Sequence, residues 1–441
     1  MKGFIGRASP IFMVVLFAAC TSPAVSPPPA TGPATSASAP TDSPAAPVTL
    51  KFWVNTSTPD DPAIWTAAVA RYQAKYPNVT VELTPLLFED FLRNMPLALD
   101  AGTAPDIASS PTLAHAQDRY VKAGKLLDLT EIAEARGWTT NIDPEIIAFN
   151  NPTVTPRIFG VPWAMSTVGI FYNKTLFDSL NLTVPTTMQE FVDVAAALQA
   201  NDVIPVSVGG RDGWPLAHLW YQLIHTSTPY DYLTKLTEID HDASYNDASL
   251  VQAAQIVADW YEAGYLDRNM LTTNFQDASA AFVAGRAAMT VTGAWQLNDF
   301  STAPEFEARF FPMPQVDPSL PWHVGGQAPF DDLIIPLGPN EAAAVDFMDY
   351  LLSEENMIEF WNDGEIVPYR FATPPAAPTL LQGDFYAAMQ RTLPGYFMDP
   401  YNPKVGDTIY SSLQDLVSGK ISAQEAMDKV QAVYLQQSPA E

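Results

Sequence analysis

"VTLKFWVNTSTPDDPAIWTAAVARYQAKYPNVTVEL", residues 48–83, decides the fold. Val48, Leu50, Phe52 and Val54 fall on alternate positions, the period of a strand. Asp61 then supplies a helix N-cap and Pro62 a first-turn proline. Trp65, Ala68, Val69, Tyr72 and Tyr76 follow at helical spacing until Pro77 stops the run. Val79, Val81 and Leu83 restore the period of two. Strand, helix and strand in close succession are the crossover unit of a parallel sheet.

The same grammar extends along the chain. A helix is expected from about Phe88 to Leu99, bent at Pro96 and closed near Gly102. "DIASS" (106–110), "VGIFYN" (168–173), "IPVSVGG" (204–210) and "DLIIP" (332–336) read as strands. Thr186 with Gln189 reads as a capping box, as does Ser422 with Glu425. Asp247 caps a helix through Trp260 and Tyr261, and Phe282 to Val291 reads as a helix end followed by a strand. Helices are expected at 341–352 and 354–361, and Gly419 closes another. The fold class is therefore α/β. A chain of 441 residues exceeds the usual size of one core, so two lobes are expected.

The N-terminus is not part of that body. Lys2 and Arg7 precede an apolar run, Ile11 to Phe17, and then Ala18-Ala19-Cys20. This is a secretory signal with small residues at its cleavage point. A cysteine directly after them resembles a bacterial lipobox, whose thiol carries a lipid; the alternative is an incidental cysteine in an ordinary signal peptide. Cys20 is the sole cysteine, which excludes an intramolecular disulfide. Thr21 to Pro47 is almost entirely Pro, Ala, Ser and Thr, an extended stalk that cannot bury a core. The expectation is a signal over 1–19, a lipidated Cys20 with a stalk over 20–47, and a body tethered outside the cell membrane, at the cell surface or in a periplasm. No later apolar run approaches the ~18 residues that span a bilayer. With 22 Lys+Arg against 49 Asp+Glu, the net charge of −27 disfavours nucleic acid and anionic lipid surfaces.

Catalytic patterns are weak. The five histidines, His115, His218, His225, His241 and His323, form no paired metal spacing. There is no nucleophile elbow and no phosphate loop. "DHDASYND" (240–247) lacks the glycine and the glutamate of a calcium loop. Asp331 and Asp332 are adjacent on a strand and point to opposite faces, so they cannot flank one glycosidic bond, and at most one reaches a site. No cofactor and no metal is expected.

Aromatic and polar residues instead gather near strand ends, where open α/β sheets bind ligands. They are Trp53 and Asn55, Ser109 and Ser110, Trp163 after "IFGVP", Tyr172, Trp214 after "GGRDG", Trp295 after "VTG", and Gly325, Gly326 and Gln327. Indole and phenol rings cover the C–H faces of a sugar, and polar groups in its plane take the hydroxyls. Trp65, Trp138, Trp220, Trp260 and Trp361 lie in or at the end of helices and read as packing. For Trp53 core and site stand equal. Asn55 and Ser110 are turn formers in the bland reading. Arg370 either reaches a ligand or pairs with a carboxylate.

Several segments together resemble the extracellular solute-binding proteins of bacterial ABC importers, in the sugar-binding branch that includes maltose-binding protein. They are "LKFWVN", "YPNVTVEL", "AGTAPDI", "GKLLDLTEI", "FGVPWAMSTVGIFYNKTLFDSL", "VPTTMQEFVDVAAAL", "FVAGRAAMTVTGAW" and "AVDFMDYLLSEENMIEFW", spread over about Val48 to Tyr434. The resemblance implies a periplasmic-binding-protein-like fold of type II, with ligand in a cleft between two α/β lobes. It assigns 48–165 plus 331–393 to lobe 1 and 166–330 plus 394–441 to lobe 2. It implies a sugar platform at Trp295, and ligand contacts at Trp163, Met165 and the Gly325-Gly326 loop. It implies a binding protein and not an enzyme, expected as a monomer, that hands a mono- or oligosaccharide to an ABC permease. The rival readings are a non-sugar solute such as a polyamine, a secreted glycoside hydrolase, and a sensor or adhesin.

Overall fold

The computed structural model describes residues 46–56, 63–111, 120–142, 144, 146–147, 157–302, 305–320, 324–373, 375–389, 392–394 and 402–437. Cys20, the stalk through residue 45 and the expected cap at Asp61 and Pro62 lie outside the described residues.

The described strands are β1 (Val48–Thr56), β2 (Val79–Leu87), β3 (Ile107–Pro111), β4 (Gly160–Ser166), β5 (Val168–Asn173), β6 (Ile204–Ser207), β7 (Ala287–Gly293), β8 (Ala308–Phe311), β9 (Val324–Ile334) and β10 (Thr392–Pro394). They form two sheets. The first is six-stranded, in the order β10-β9-β3-β1-β2 with β4 also on β9; the second is four-stranded, β6-β7-β5-β8. β1 runs parallel to β2 and β3, with Val54 level with Ser109, so these strands finish at the same edge. β9 runs antiparallel to both β3 and β4, which sets Asp331 opposite Pro111 on one side and Ala164 on the other. β4 and β5 are separated by Thr167 alone, and the chain changes sheet there.

The described helices are α1 (Ala63–Lys75), α2 (Phe88–Ala101), α3 (Thr130–Ala135), α4 (Trp138–Asn141), α5 (Lys174–Ser179), α6 (Met188–Gln199), α7 (Trp214–His225), α8 (Tyr230–Thr237), α9 (Ala248–Ala263), α10 (Phe275–Val283), α11 (Leu297–Thr302), α12 (Glu341–Leu351), α13 (Glu354–Asn362), α14 (Leu380–Met389), α15 (Pro403–Val417) and α16 (Ala423–Tyr434). Leu50, Phe52 and Val54 of β1 face a core shared with Trp65 of α1, Phe347 of α12 and Phe360 of α13. Trp53, on the opposite face, packs against a smaller cluster around Phe91 and Met95 of α2. Apolar cover on both faces is what a parallel sheet requires. The second sheet is covered by α6, α7, α9, α15 and α16, whose apolar residues form a core of their own. The tryptophans expected to pack do so: Trp65, Trp138, Trp220, Trp260 and Trp361 are buried.

Local signals and structure agree at most ends. α2 contains Pro96 and closes at Gly102 in the left-handed conformation, φ +69. Asp247 caps α9, and Ser422 with Glu425 makes a complete capping box. One box is displaced by a residue from its expected position: Thr187, not Thr186, accepts from the backbone of Glu190. The reason is Glu190, whose carboxylate accepts the amides of Thr186 and Thr187 and the Thr186 hydroxyl, while Gln189 turns to Asp193, so the charged acceptor selects the frame. β9 begins eight residues before "DLIIP", because β10 and β4 pair with its first half. Thr187→Ala is expected to cost about 1 kcal/mol of stability, measured by urea unfolding. An equal or larger loss from Thr186→Ala would contradict the assigned cap.

Candidate ligand-binding site

Two groups of side chains stand on the two sheets that the chain connects at Thr167. The first stands on the six-stranded sheet. Asn55 follows the end of the β1–β3 pairing, and its Nδ2 donates to Asp331 Oδ1 at 3.3 Å. Ser109 Oγ donates to Asp331 Oδ2 at 3.2 Å and accepts from Trp163 Nε1 at 2.9 Å. Asp331 is only 2% exposed. Burial pushes its carboxyl well above the usual range, against the lowering effect of the Asn55 and Ser109 hydrogen bonds. Asn55 Oδ1 is buried and accepts no hydrogen bond, so an acceptor is left over at this edge.

The second group stands on the four-stranded sheet. Trp295 lies in a short 3-10 turn (Ala294–Gln296) directly after β7, half-buried. A Cβ on Gly293 would come within 2.4 Å of the Trp295 ring and 2.6 Å of Ser166 Oγ, so the indole lies over bare backbone. The amide of Ala294 donates to Ser166 Oγ at 2.8 Å, tying this turn to the end of β4. Trp214, half-buried, opens α7 and meets Trp295 with centroids 6.1 Å apart and planes at 74°. Phe275 at the start of α10 and His218 one turn along α7 complete the cluster, at 4.7 and 5.0 Å from Trp214. Burial holds the His218 ring down at about 3, so it is a neutral aromatic wall at any ordinary pH. From the first sheet's side, Phe88 and Glu89 of α2 reach the same indole: Phe88 at 6.0 Å, and Glu89 Oε1 accepting from Trp214 Nε1 at 3.2 Å.

The expected residues therefore separate. Asn55 meets Asp331, and Trp214 meets Trp295. Trp163 is inside β4 and not past its end; at 2% exposure it is boxed by Trp65 (4.5 Å) and Phe360 (5.1 Å) as part of the first core. Met165 packs in the same core. Tyr172 packs on Phe177 and Phe311 in the second core, because its position on β5 faces the helices. Ser110 is buried, with its hydroxyl on the carbonyl of Pro111. Asp331 is nearly fully buried, and its carboxylate holds Asn55. Trp53 is half-buried against the α2 cluster. Arg370 is exposed, and its amide donates to Asn141 beside the bridge between Ile142 and Tyr369. Gly325, Gly326 and Gln327 lie on the first half of β9, where Gln327 pairs with Pro394. Phe88, Glu89, His218 and Phe275 were not expected. The strand-end rule points to Phe88 and Glu89, which follow β2 at once, and His218 is one helical turn from Trp214.

The sequence pattern of the bacterial extracellular solute-binding protein family matches residues 55–358. The chain belongs to this family. A multiple sugar-binding protein of Streptococcus mutans is 28% identical over 169 residues, 37% of this chain and 40% of that one. A probable sugar-binding periplasmic protein of Mesorhizobium japonicum is 26% identical over 210 residues, 46% of this chain and 47% of that one. The chain spans about half the length of the curated relatives it matches. Among solved structures, a chitin oligosaccharide binding protein superposes with a TM-score of 0.74 at 24% identity, covering 87% of this chain and 98% of that one. The two-lobe type II fold is thereby shown for this solute-binding protein. As a member of an extracellular family it works outside the cytoplasm, and the family consists of binding proteins. No helix among the described residues is long and apolar enough to cross a membrane.

The neutral His218 gives the protein a pH signature. Its folded value is depressed from the unfolded value of ~6.5, so its contribution is fully present above that pH and is lost as the pH falls toward 3. Comparing the protein with His218→Gln cancels the other titrating groups, including Asp331. Their stability difference is expected to change by about 1.4 kcal/mol per pH unit below ~6, in urea unfolding at pH 7, 5 and 4. A difference that stays constant would refute the buried neutral ring.

Proposed function

We propose that this chain is the substrate-binding component of an ABC importer, which captures a mono- or oligosaccharide between its lobes and delivers it to a membrane permease. The observation that carries this reading is the Trp214–Trp295 corner, seated on Gly293 beside the sheet crossing, with Asn55 on the other sheet keeping an acceptor unused. Rings for the sugar face and amides for its edge are the required chemistry. The relatives' names point the same way. The lobes follow the two sheets, 48–165 plus 331–393 and 166–330 plus 394–441 in outline, with Thr167 at one crossing and β9 near the other. Closure buries the ligand and shifts a hinge equilibrium. The protein acts as a monomer.

A cationic solute fits less well. Asp331 is engaged by Asn55 and Ser109, and Glu89 by the Trp214 indole, so these carboxylates face neutral donors already. Calorimetry against a panel of sugars and against spermidine tests the choice. At least one sugar is expected to bind in the micromolar range, about −8 kcal/mol. Trp295→Ala should weaken it at least about tenfold with little loss of stability. Gly293→Ala should weaken it too, since the new methyl displaces the ring. Binding of spermidine and of no sugar would overturn the proposal.

The tether is also proposed. Cys20 carries a lipid after removal of residues 1–19, and the Pro/Ala/Ser/Thr segment links it to the body. Cys20→Ser is expected to shift the protein from the membrane fraction to the soluble extracytoplasmic fraction. Retention of the variant in the membrane fraction would argue against lipidation.

A further inference from the structure

The geometry of Trp214 differs from that of a second sugar platform. Consecutive units of a sugar chain stack on rings whose faces run along the chain, whereas the Trp214 plane stands at 74° to Trp295 in a T-shaped contact, so the two rings do not offer parallel faces to successive units. Its polar end is engaged by Glu89, and Phe88 closes on it from the other side at 61°. These partners come from the N-terminal turn of α2, on the first sheet, so they cross from one half of the molecule to the other. Trp214 is also firmly seated. Gly213 before it has φ +82, and a Cβ there would meet Tyr410 at 2.8 Å. Gln414 donates to the carbonyls of Gly210 and Arg211 at 2.8 and 3.1 Å, and Asp212 accepts the amide of Phe275 at 2.7 Å. The backbone that carries Trp214 is thus pinned within its own half, which makes the ring a wall rather than a mobile gate.

We propose that Phe88, Glu89 and Trp214 form an end wall that makes this a site for an oligosaccharide gripped by one end. The proposal rests on the carbohydrate reading above. The terminal unit lies on Trp295 and abuts the wall, and the rest of the chain leaves in the other direction. A chain that continued past Trp214 would have to break the Glu89 and Phe88 contacts and hold the halves apart.

The test uses maltotriose, xylotriose, chitotriose and galactotriose. Each is titrated free, with a fluorophore at its reducing end, and with the fluorophore at its non-reducing end. For a trisaccharide that binds, one tagged form is expected to retain affinity and the other to lose at least about tenfold, or 1.4 kcal/mol. The Phe88→Ala/Glu89→Ala double variant should recover at least about fivefold for the rejected form alone. Its thermal unfolding curve shows whether the fold is kept, and Trp214→Ala supplies an independent opening of the same wall. Equal tolerance of both tags means a threaded chain, and rejection of both means a pocket closed at each end; either overturns the end wall. So does failure of all four trisaccharides, and a monosaccharide that still binds would then leave the carbohydrate reading standing without it.

Discussion

The hydroxyl of Ser166 sits at the constraint on which the rest of this structure depends. It ends β4 in one sheet, and two residues later Val168 begins β5 in the other. At 2% exposure it accepts the amide of Ala294 and donates to the carbonyl of Thr167. A chain passing between two sheets leaves backbone groups with no ladder partner, and a buried orphan costs about as much as a lost hydrogen bond. Ser166 answers part of that need with a side chain. In doing so it fixes the turn that carries Trp295 to the strand that joins the lobes. The Trp295 turn and the sheet crossing are therefore tied directly to one another.

The opposite wall is organised by a buried carboxyl. Asp331 collects donors from Asn55 and from Ser109, and Ser109 in turn takes the Trp163 indole. Charge is disfavoured at such a depth, which is why the carboxyl is pushed upward. Its value lies in direction: three strands, β1, β3 and β4, each contribute one group to a chain ending on β9. Asn55 is oriented as a result, with its amide oxygen left as an acceptor. Trp163 belongs to this support and to the core behind it, and its removal would disturb Asn55 only at second hand.

The alternation of Leu50, Phe52 and Val54, the helical stripe of Trp65, Tyr72 and their neighbours, and the caps at Asp247 and Ser422 were legible because they are local. Each depends on residues within a turn or a strand of one another, where period and side-chain length act directly. Trp214 and Trp295 were legible for a related reason: each follows a glycine near a strand end, and strand ends of one sheet share an edge. Trp163 and Tyr172 satisfied nearly the same rule and stand in the two cores. β4 runs on past Trp163, whose ring meets Phe360 of α13, far away in sequence; Tyr172 lies one residue before the end of β5 and is covered by Phe177 of the adjacent α5 and by Phe311 of the distant β8.

By itself the sequence determined an α/β chain, the order of its strands and helices, the tryptophans that pack, and two of the rings at the candidate site. Those follow from periodicity and from turn chemistry, which act over a few residues. Only the tertiary structure decided that Glu89 and Phe88 meet Trp214, that Asp331 supports Asn55 rather than facing outward, and that the indole of Trp295 needs the bare backbone of Gly293. Two of these contacts join residues more than a hundred positions apart, and the third depends on which way a ring folds. Burial and hydrogen-bond geometry settle such choices after the sheets have assembled, and no pattern along the chain encodes them.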